Sequence, residues 1–474
     1  MRTRYGNDKA DDGKLGTGPF ADSFPGAMAI RQLRNDDPPL RLRRIGFAAG
    51  AVLVLSSLGF LAVAWHPAIP PVESVPRAAP EHVRAGERLA KLGYCASCHT
   101  AEGGQPYAGG RPIATPFGTI HATNITPDPG TGIGRWSLDA FTRAMRQGID
   151  RDGRHLYPAF PYTHYTGLTD DDVGALYAYV MSRRPVEATA PANTLPFPLN
   201  LRPLIAGWNL LFFREGRFAP DPGRDEAWNR GAYLAEALSH CGACHSQRNF
   251  LGAEVTARAY TGGEADGWWS PALGAKSTAA PPWTEASLAR YLVGWDPQHG
   301  GAAGPMGTVL KAHAGVQGSE IKALARYTAS LFPMPAPDRA PLDRPIPEDD
   351  PSLTRGATIY AGACATCHES GGWAAGGVPY TVTSLGQRSS VTGPDPRNLI
   401  HVLRDGIAPE QDSAGPIMPA YGDTLTAGQV TDLAAYLRAR FSDAGPWLKL
   451  DETVRALMPR APEPRSATKL EGRP

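Results

Sequence analysis

The chain has 474 residues, more than one compact core usually holds, and 47 Lys and Arg against 46 Asp and Glu leave a net charge of +1. That balance excludes nucleic acid as the main partner, because nucleic-acid binders carry a basic surplus. With 53 Gly and 46 Pro, but an ordinary 42% apolar and 20% charged residues, the sequence reads as several small, loop-rich domains, each with too little core to be stable without something extra.

Residues 1–44 read as a polar cytoplasmic N-terminal segment in which arginines gather at Arg31, Arg34, Arg41, Arg43 and Arg44. Residues 45–65 carry no charge. As a helix they would be about 32 Å long, enough for a bilayer core of about 30 Å. The arginines on the N-terminal side orient such an anchor with everything after it exported. The alternative is a cleaved signal sequence, since Ala62-Val63-Ala64 resembles a cleavage site.

Beyond Pro70-Pro71 the sequence repeats itself three times, in units spanning 81–186, 226–334 and 352–445. Each unit opens with an arginine-glycine turn (Arg84-Ala85-Gly86, Arg230-Gly231, Arg355-Gly356) and closes with an amphipathic helix carrying Tyr179, Tyr327 or Tyr436 in register. Thr169 with Asp172, Gln317 with Glu320 and Thr426 with Gln429 stand at N-cap and N3 spacing for those closing helices. Proline-rich linkers, 187–225 and 335–351, separate the units, and 446–474 reads as a polar tail. Within the first linker, residues 204–213 are the largest apolar run outside 45–65, too short to span a bilayer and expected to pack between the first two units, with docking onto a partner protein or dipping into the membrane surface as alternatives.

All six cysteines fall in three CxxCH segments: Cys95/Cys98/His99, Cys241/Cys244/His245 and Cys364/Cys367/His368. On a helix, sulfurs three residues apart share one face and can each add to a vinyl group of one porphyrin edge, which leaves the histidine beneath the iron. This is the c-type haem attachment signature, and three copies imply three covalently bound haem c. Zinc sites do not require a histidine after each pair, and a redox CxxC expects a βαβ context that is missing. Each macrocycle would also supply the core its small domain lacks.

The sixth iron ligand in such domains usually comes from a methionine before the closing helix. Met418, between Ile417 and Pro419, and Met306, between Pro305 and Gly307, stand at that place, with His313 as a rival to Met306. Unit one has Phe160 there instead. His164, four residues on, would then make a bis-histidine site, with Met181, His155, Met145 or an open iron as alternatives.

The layout resembles the cytochrome c subunits of membrane-bound bacterial dehydrogenases, most specifically through Tyr94-Cys95-Ala96-Ser97-Cys98-His99-Thr100, Pro116-Phe117-Gly118-Thr119, Asn124-Ile125-Thr126-Pro127-Asp128 and Leu156-Tyr157-Pro158-Ala159-Phe160-Pro161-Tyr162. Alcohol and gluconate dehydrogenase cytochrome subunits typically carry methionine at the position of Phe160. The Phe version followed by His164 is more similar to the cytochrome subunits that partner molybdenum hydroxylases of the nicotinate or isoquinoline type. The resemblance implies a mainly α fold of three tandem class I cytochrome c-type domains after one N-terminal transmembrane helix. It also implies a place in the bacterial cytoplasmic membrane, with the haem domains on the periplasmic side. The catalytic dehydrogenase partner would be of molybdenum hydroxylase type, with PQQ or flavin types as alternatives, and the electron acceptor quinone or a terminal oxidase. The competing reading is a multihaem peroxidase with an open haem in unit one. No GxGxxG, P-loop or HExxH marks substrate chemistry.

Overall fold

The computed structural model of the protein describes residues 40–278, 283–316, 318–333, 344–347, 349–369, 385–407 and 417–458. Gln317, most of the 335–351 linker and the arginines at 31 and 34 lie outside the described residues. The first helix, α1 (Leu40–Ala64), contains the stretch Phe47–Ala64, which is apolar and long enough to cross a membrane and has none of its length buried. The break between two compact units falls between Leu58 and Gly59, inside this helix.

From Gly59 onward, three helix pairs repeat one design. The helix α2 (Pro80–Leu92) leads into a five-residue helix α3 (Cys95–His99), then the hairpin β1 (Pro112–Thr115) and β2 (Gly118–His121). Helices α4 (Leu138–Gln147) and α5 (Tyr162–Tyr165) follow, and α6 (Asp170–Met181) closes back on α2. After α7 (Leu204–Phe212), the second pair is built from α8 (Glu226–Tyr233), continued by a π-helical turn at Leu234–Leu238, and α12 (Gly318–Leu331). Between them lie α9 (Gly242–His245), the hairpins β3/β4 (Gly263–Ala265, Trp268–Ser270) and β5/β6 (Trp295–Asp296, Gly300–Gly301), and helices α10 (Glu285–Tyr291) and α11 (Gly304–His313). The third pair is α13 (Pro351–Ala363) with α17 (Ala427–Phe441), enclosing α14 (Ala365–His368), α15 (Ser389–Thr392) and α16 (Arg397–Asp405).

The arginine-glycine turns have a steric reason. Where α2 crosses α6, a Cβ on Gly86 would stand 1.9 Å from the Ala175 carbonyl oxygen and 2.7 Å from the Tyr179 Cβ. The same crossing recurs at Gly231 (1.9 Å from Ala323 O, 2.8 Å from Tyr327 Cβ) and at Gly356 (2.2 Å from Asp432 O, 2.6 Å from Tyr436 Cβ). The tyrosines in register are therefore the partners of the glycines: backbone-to-backbone contact leaves room for nothing larger. Flanking ion pairs lock two of the crossings, Arg230 on Glu320 and Arg355 on Asp432. The expected caps form at Thr169, which accepts from the Asp172 N–H, and at Thr426, in a reciprocal capping box with Gln429.

Two features differ from the sequence expectation. The first two helix pairs share one continuous apolar core, running from Leu89 to Tyr327, whereas the third pair has its own around Tyr360, Leu433 and Phe441. The beginning of the expected tail is structural: Trp447 is buried with its indole N–H on the Gly393 carbonyl (2.9 Å), and α18 (Leu450–Leu457) buries Val454 against that third core. A few spaced apolar residues in a polar segment suffice for this, and only the packed partner reveals them.

Candidate haem sites

Each CxxCH segment sits on a short helix that leaves a longer one through a sharp bend. Tyr94 and His240, immediately before the first cysteines, both adopt left-handed backbone conformations, φ 37° and 36°. The bend turns the following helix so that its cysteines and histidine face inward. All six cysteines are free thiols. Burial pushes Cys95 and Cys241 up to about 12 and Cys244 and Cys364 up to about 11. They are therefore protonated and stay unreactive until a vinyl group is offered.

The three histidines share a chemistry. Burial lowers the pKa of His99, His245 and His368, so each ring is neutral at pH 7. The Nδ1–H of His99 donates to the Thr123 carbonyl (2.8 Å) and that of His245 to the Pro271 carbonyl (2.7 Å). Each leaves Nε2 with its lone pair, which is the arrangement a metal-bound imidazole needs. Among the described residues the Nδ1 of His368 has no such partner.

All three segments open on one cavity of about 3040 Å³, which Met306 and Met418 also line. That is about three times the ~1,000 Å³ upper end of a pocket for one drug-sized ligand. Buried Arg388 also lines it and lies beside His368, a cation suited to an anionic substituent. Among the described residues no three His, Cys, Asp or Glu side chains converge as a metal cage. Neutral imidazoles, paired thiols and a large cavity fit covalently held porphyrins rather than bare ions.

The methionines stand in different settings. Met418 is held by a two-way backbone bridge to Ile407 (2.9 and 2.8 Å), whereas Met306 lies in the first turn of α11. Its rival His313 is fully buried with Nε2 3.4 Å from the Leu92 carbonyl.

In unit one, His164, the expected sixth ligand, meets two acceptors. His164 Nε2 lies 2.8 Å from the Glu254 carboxylate and Nδ1 2.7 Å from the Glu236 carbonyl. Both partners accept, so in these contacts the ring donates from both nitrogens. Burial opposes that charge, but Glu254 and the Glu236 carbonyl outweigh it: the His164 pKa is raised and that of Glu254 lowered. His155 is buried edge-on against His66, and Met181 packs on the apolar core. Met145, itself buried in that core, also lines the cavity on which His99 opens.

The pair stabilises the fold where Glu254 is ionised and His164 charged. Its contribution is present below the ordinary histidine value of 6.5 and is lost as pH rises through the raised one. His164→Gln is expected to cost about 1–3 kcal/mol near pH 5–6 and less at alkaline pH, read from thermal unfolding, with the low-spin haem spectrum unchanged. Loss of a bis-histidine signal in electron paramagnetic resonance would restore His164 as a ligand.

Tyr94 and His240 were not singled out by sequence, although both precede a first cysteine. The Tyr94 hydroxyl lies 2.9 Å from the Ser239 carbonyl and 2.8 Å from His240 Nδ1. With one hydrogen to give, it donates to the carbonyl and accepts from the imidazole. Burial, with charged His164 nearby, pushes His240 down to about 3 and keeps it neutral. Two hydrogen bonds thus join the approaches to the first two attachment segments.

These features recur in known proteins. The cytochrome c family matches residues 83–184, and the family described as cytochrome C oxidase, cbb3-type, subunit III matches residues 351–437. A nicotinate dehydrogenase subunit of Pseudomonas putida is 46% identical over 85% of this chain, which spans only 34% of that relative's length. The gluconate 2-dehydrogenase cytochrome c subunit of Pantoea cypripedii is 36% identical over 79% of this chain and 91% of its own. The fructose dehydrogenase cytochrome subunit of Gluconobacter japonicus is 33% identical over 79% of this chain and 82% of its own. The chain belongs to the cytochrome c subunits of dehydrogenases, electron-transfer proteins with covalently bound haem c.

Proposed function

We propose that the chain is a membrane-anchored triheme c-type cytochrome of three tandem domains, at 81–186, 226–334 and 352–445, on the periplasmic side of the bacterial cytoplasmic membrane. It accepts electrons from a catalytic dehydrogenase and passes them to quinone or a terminal oxidase. The observation that carries this is the threefold arrangement of a thiol pair and a neutral histidine on one cavity. Haem c supplies reversible one-electron transfer when bound. The chain's own residues would do the rest: Cys95/Cys98, Cys241/Cys244 and Cys364/Cys367 would carry the thioether links, His99, His245 and His368 would each ligate an iron, and Met306 and Met418 would offer thioethers to two of them. The Thr123 and Pro271 carbonyls orient the first two rings.

The partner we favour is a molybdenum hydroxylase of the nicotinate type. Phe160 in place of methionine supports it, as does the likeness to the nicotinate dehydrogenase relative. Gentle purification from membranes, identification of what co-elutes and addition of the partner's substrate test this. Reduction of all three haems is expected. A chain that elutes alone, or binds cyanide rapidly at one haem and turns over peroxide, would favour the peroxidase reading.

A further inference from the structure

Beyond α1, exposed apolar side chains gather on α7 and the segment entering it: Phe197, Leu201, Leu204, Leu210 and Leu211, with Phe197 79% and Leu211 65% exposed. In α7, Leu204, Gly207 and Leu211 are three and four residues apart and share one face. The opposite side is fastened to unit one. Ala206 is fully buried, the Tyr162 hydroxyl donates to Asn209 Oδ1 (2.6 Å), and the Tyr162 ring meets Phe213 at 5.3 Å. The helix packs by its small and polar side and reaches unit two through Trp208 at Leu251; Leu204 and Leu211 border the cavity of the CxxCH segments, whereas exposed Phe197, Leu201 and Leu210 lie outside that lining. A contiguous patch of this kind marks a contact surface.

The chain just before unit one indicates what covers it. Phe60, near the end of α1, reaches the outward face: a Cβ on Gly207 would lie 3.9 Å from its ring. Past Ala64 the backbone is tied down without slack. The Ile69 N–H donates to the Arg151 carbonyl (2.8 Å), the Val72 N–H to the Arg135 carbonyl (3.0 Å) and Arg143 Nη1 to the Pro67 carbonyl (2.7 Å). Where the apolar helix ends, α7 is therefore fixed beside it. The rim of the patch is amphipathic: Trp65 is 70% exposed, the Trp208 indole N–H is satisfied by the Leu251 carbonyl, and exposed Arg214 follows the helix. Aromatic and basic residues bordering leucines suit the headgroup region.

We propose that the outward face of α7, with residues 197–201, lies on the lipid bilayer surface beside the point where α1 enters it. This rests on reading α1 as an anchor. A spanning helix raises the effective concentration of the patch at the membrane, so a contact too weak to hold alone becomes permanent. The orientation of the haem units to the bilayer is then set by two points rather than one.

The test uses the full-length haem-loaded chain in vesicles of phosphatidylethanolamine and phosphatidylglycerol, photolysed with a carbene reagent that partitions into lipid, with labelled peptides quantified by mass spectrometry. Labelling of the α7 peptide at least about ten-fold above that of the peptide around Leu448, another exposed apolar residue, is expected. The double variant Phe197→Glu with Leu210→Glu, its haem content unchanged, should lower the labelling of residues 197–211 by a similar factor. Background labelling of α7 while α1 is labelled would overturn this inference and leave the anchor standing; background labelling of both would remove the anchor too. Loss of α7 labelling when the partner dehydrogenase is added would assign the patch to that protein instead.

Discussion

Replacing Gly86 by alanine is expected to cost about 3 kcal/mol and to strip unit one of its haem. A helical glycine normally costs up to about 1 kcal/mol relative to alanine, so propensity alone would favour the change. Sterics reverse the sign. The new Cβ would lie 1.9 Å from the Ala175 carbonyl oxygen, which is backbone and has no rotamer to escape into, so α2 and α6 must separate. Gly231→Ala and Gly356→Ala should do the same in their own units. Gly174 and Gly428 are the internal controls: both are helical, with nothing within 4 Å of a built Cβ, and alanine there should be neutral or stabilising. Thermal unfolding of the full chain with haem content reads all five variants. Equal behaviour of Gly86→Ala and Gly174→Ala would contradict the crossing.

Exchanging Met418 for histidine is expected to lower one of three haem potentials by on the order of 0.1–0.2 V, part of the ~0.8 V that axial ligands span. A thioether favours the reduced iron relative to a second imidazole, so the sign is downward. The bridge to Ile407 holds the backbone at 418 whichever side chain stands there, although the Met418 side chain also packs on the third core. The other two potentials should move little, which separates a ligand effect from general disruption. A redox titration that leaves all three potentials in place would remove Met418 from the iron.

The sequence revealed what is local and repeated. Three CxxCH segments declare their chemistry by spacing, and the glycines and tyrosines of the helix pairs recur because one backbone crossing is built three times. What escaped it depends on residues far apart in the chain. The partners of His164, Glu254 ninety residues on and the Glu236 carbonyl, have no signal in its own loop. The Tyr94–His240 bond spans 146 residues and has no period to betray it. Trp447, Val454 and Met458 read as tail because a short helical spacing of apolar residues does not say what it packs against, yet each is buried in the core of the third unit. Residues 204–213 were legible as apolar but not as half-exposed, since composition does not say which face a helix will use.

The central claim is that each CxxCH segment carries a porphyrin joined by thioether bonds, with the adjacent imidazole beneath the iron. Pyridine haemochrome quantification alongside the intact mass of the matured protein tests it most directly. Three haems per chain, falling to two when Cys364 and Cys367 are both changed to serine, is the predicted result. Fewer than three on the unaltered chain, or a mass with no added tetrapyrrole, would contradict it.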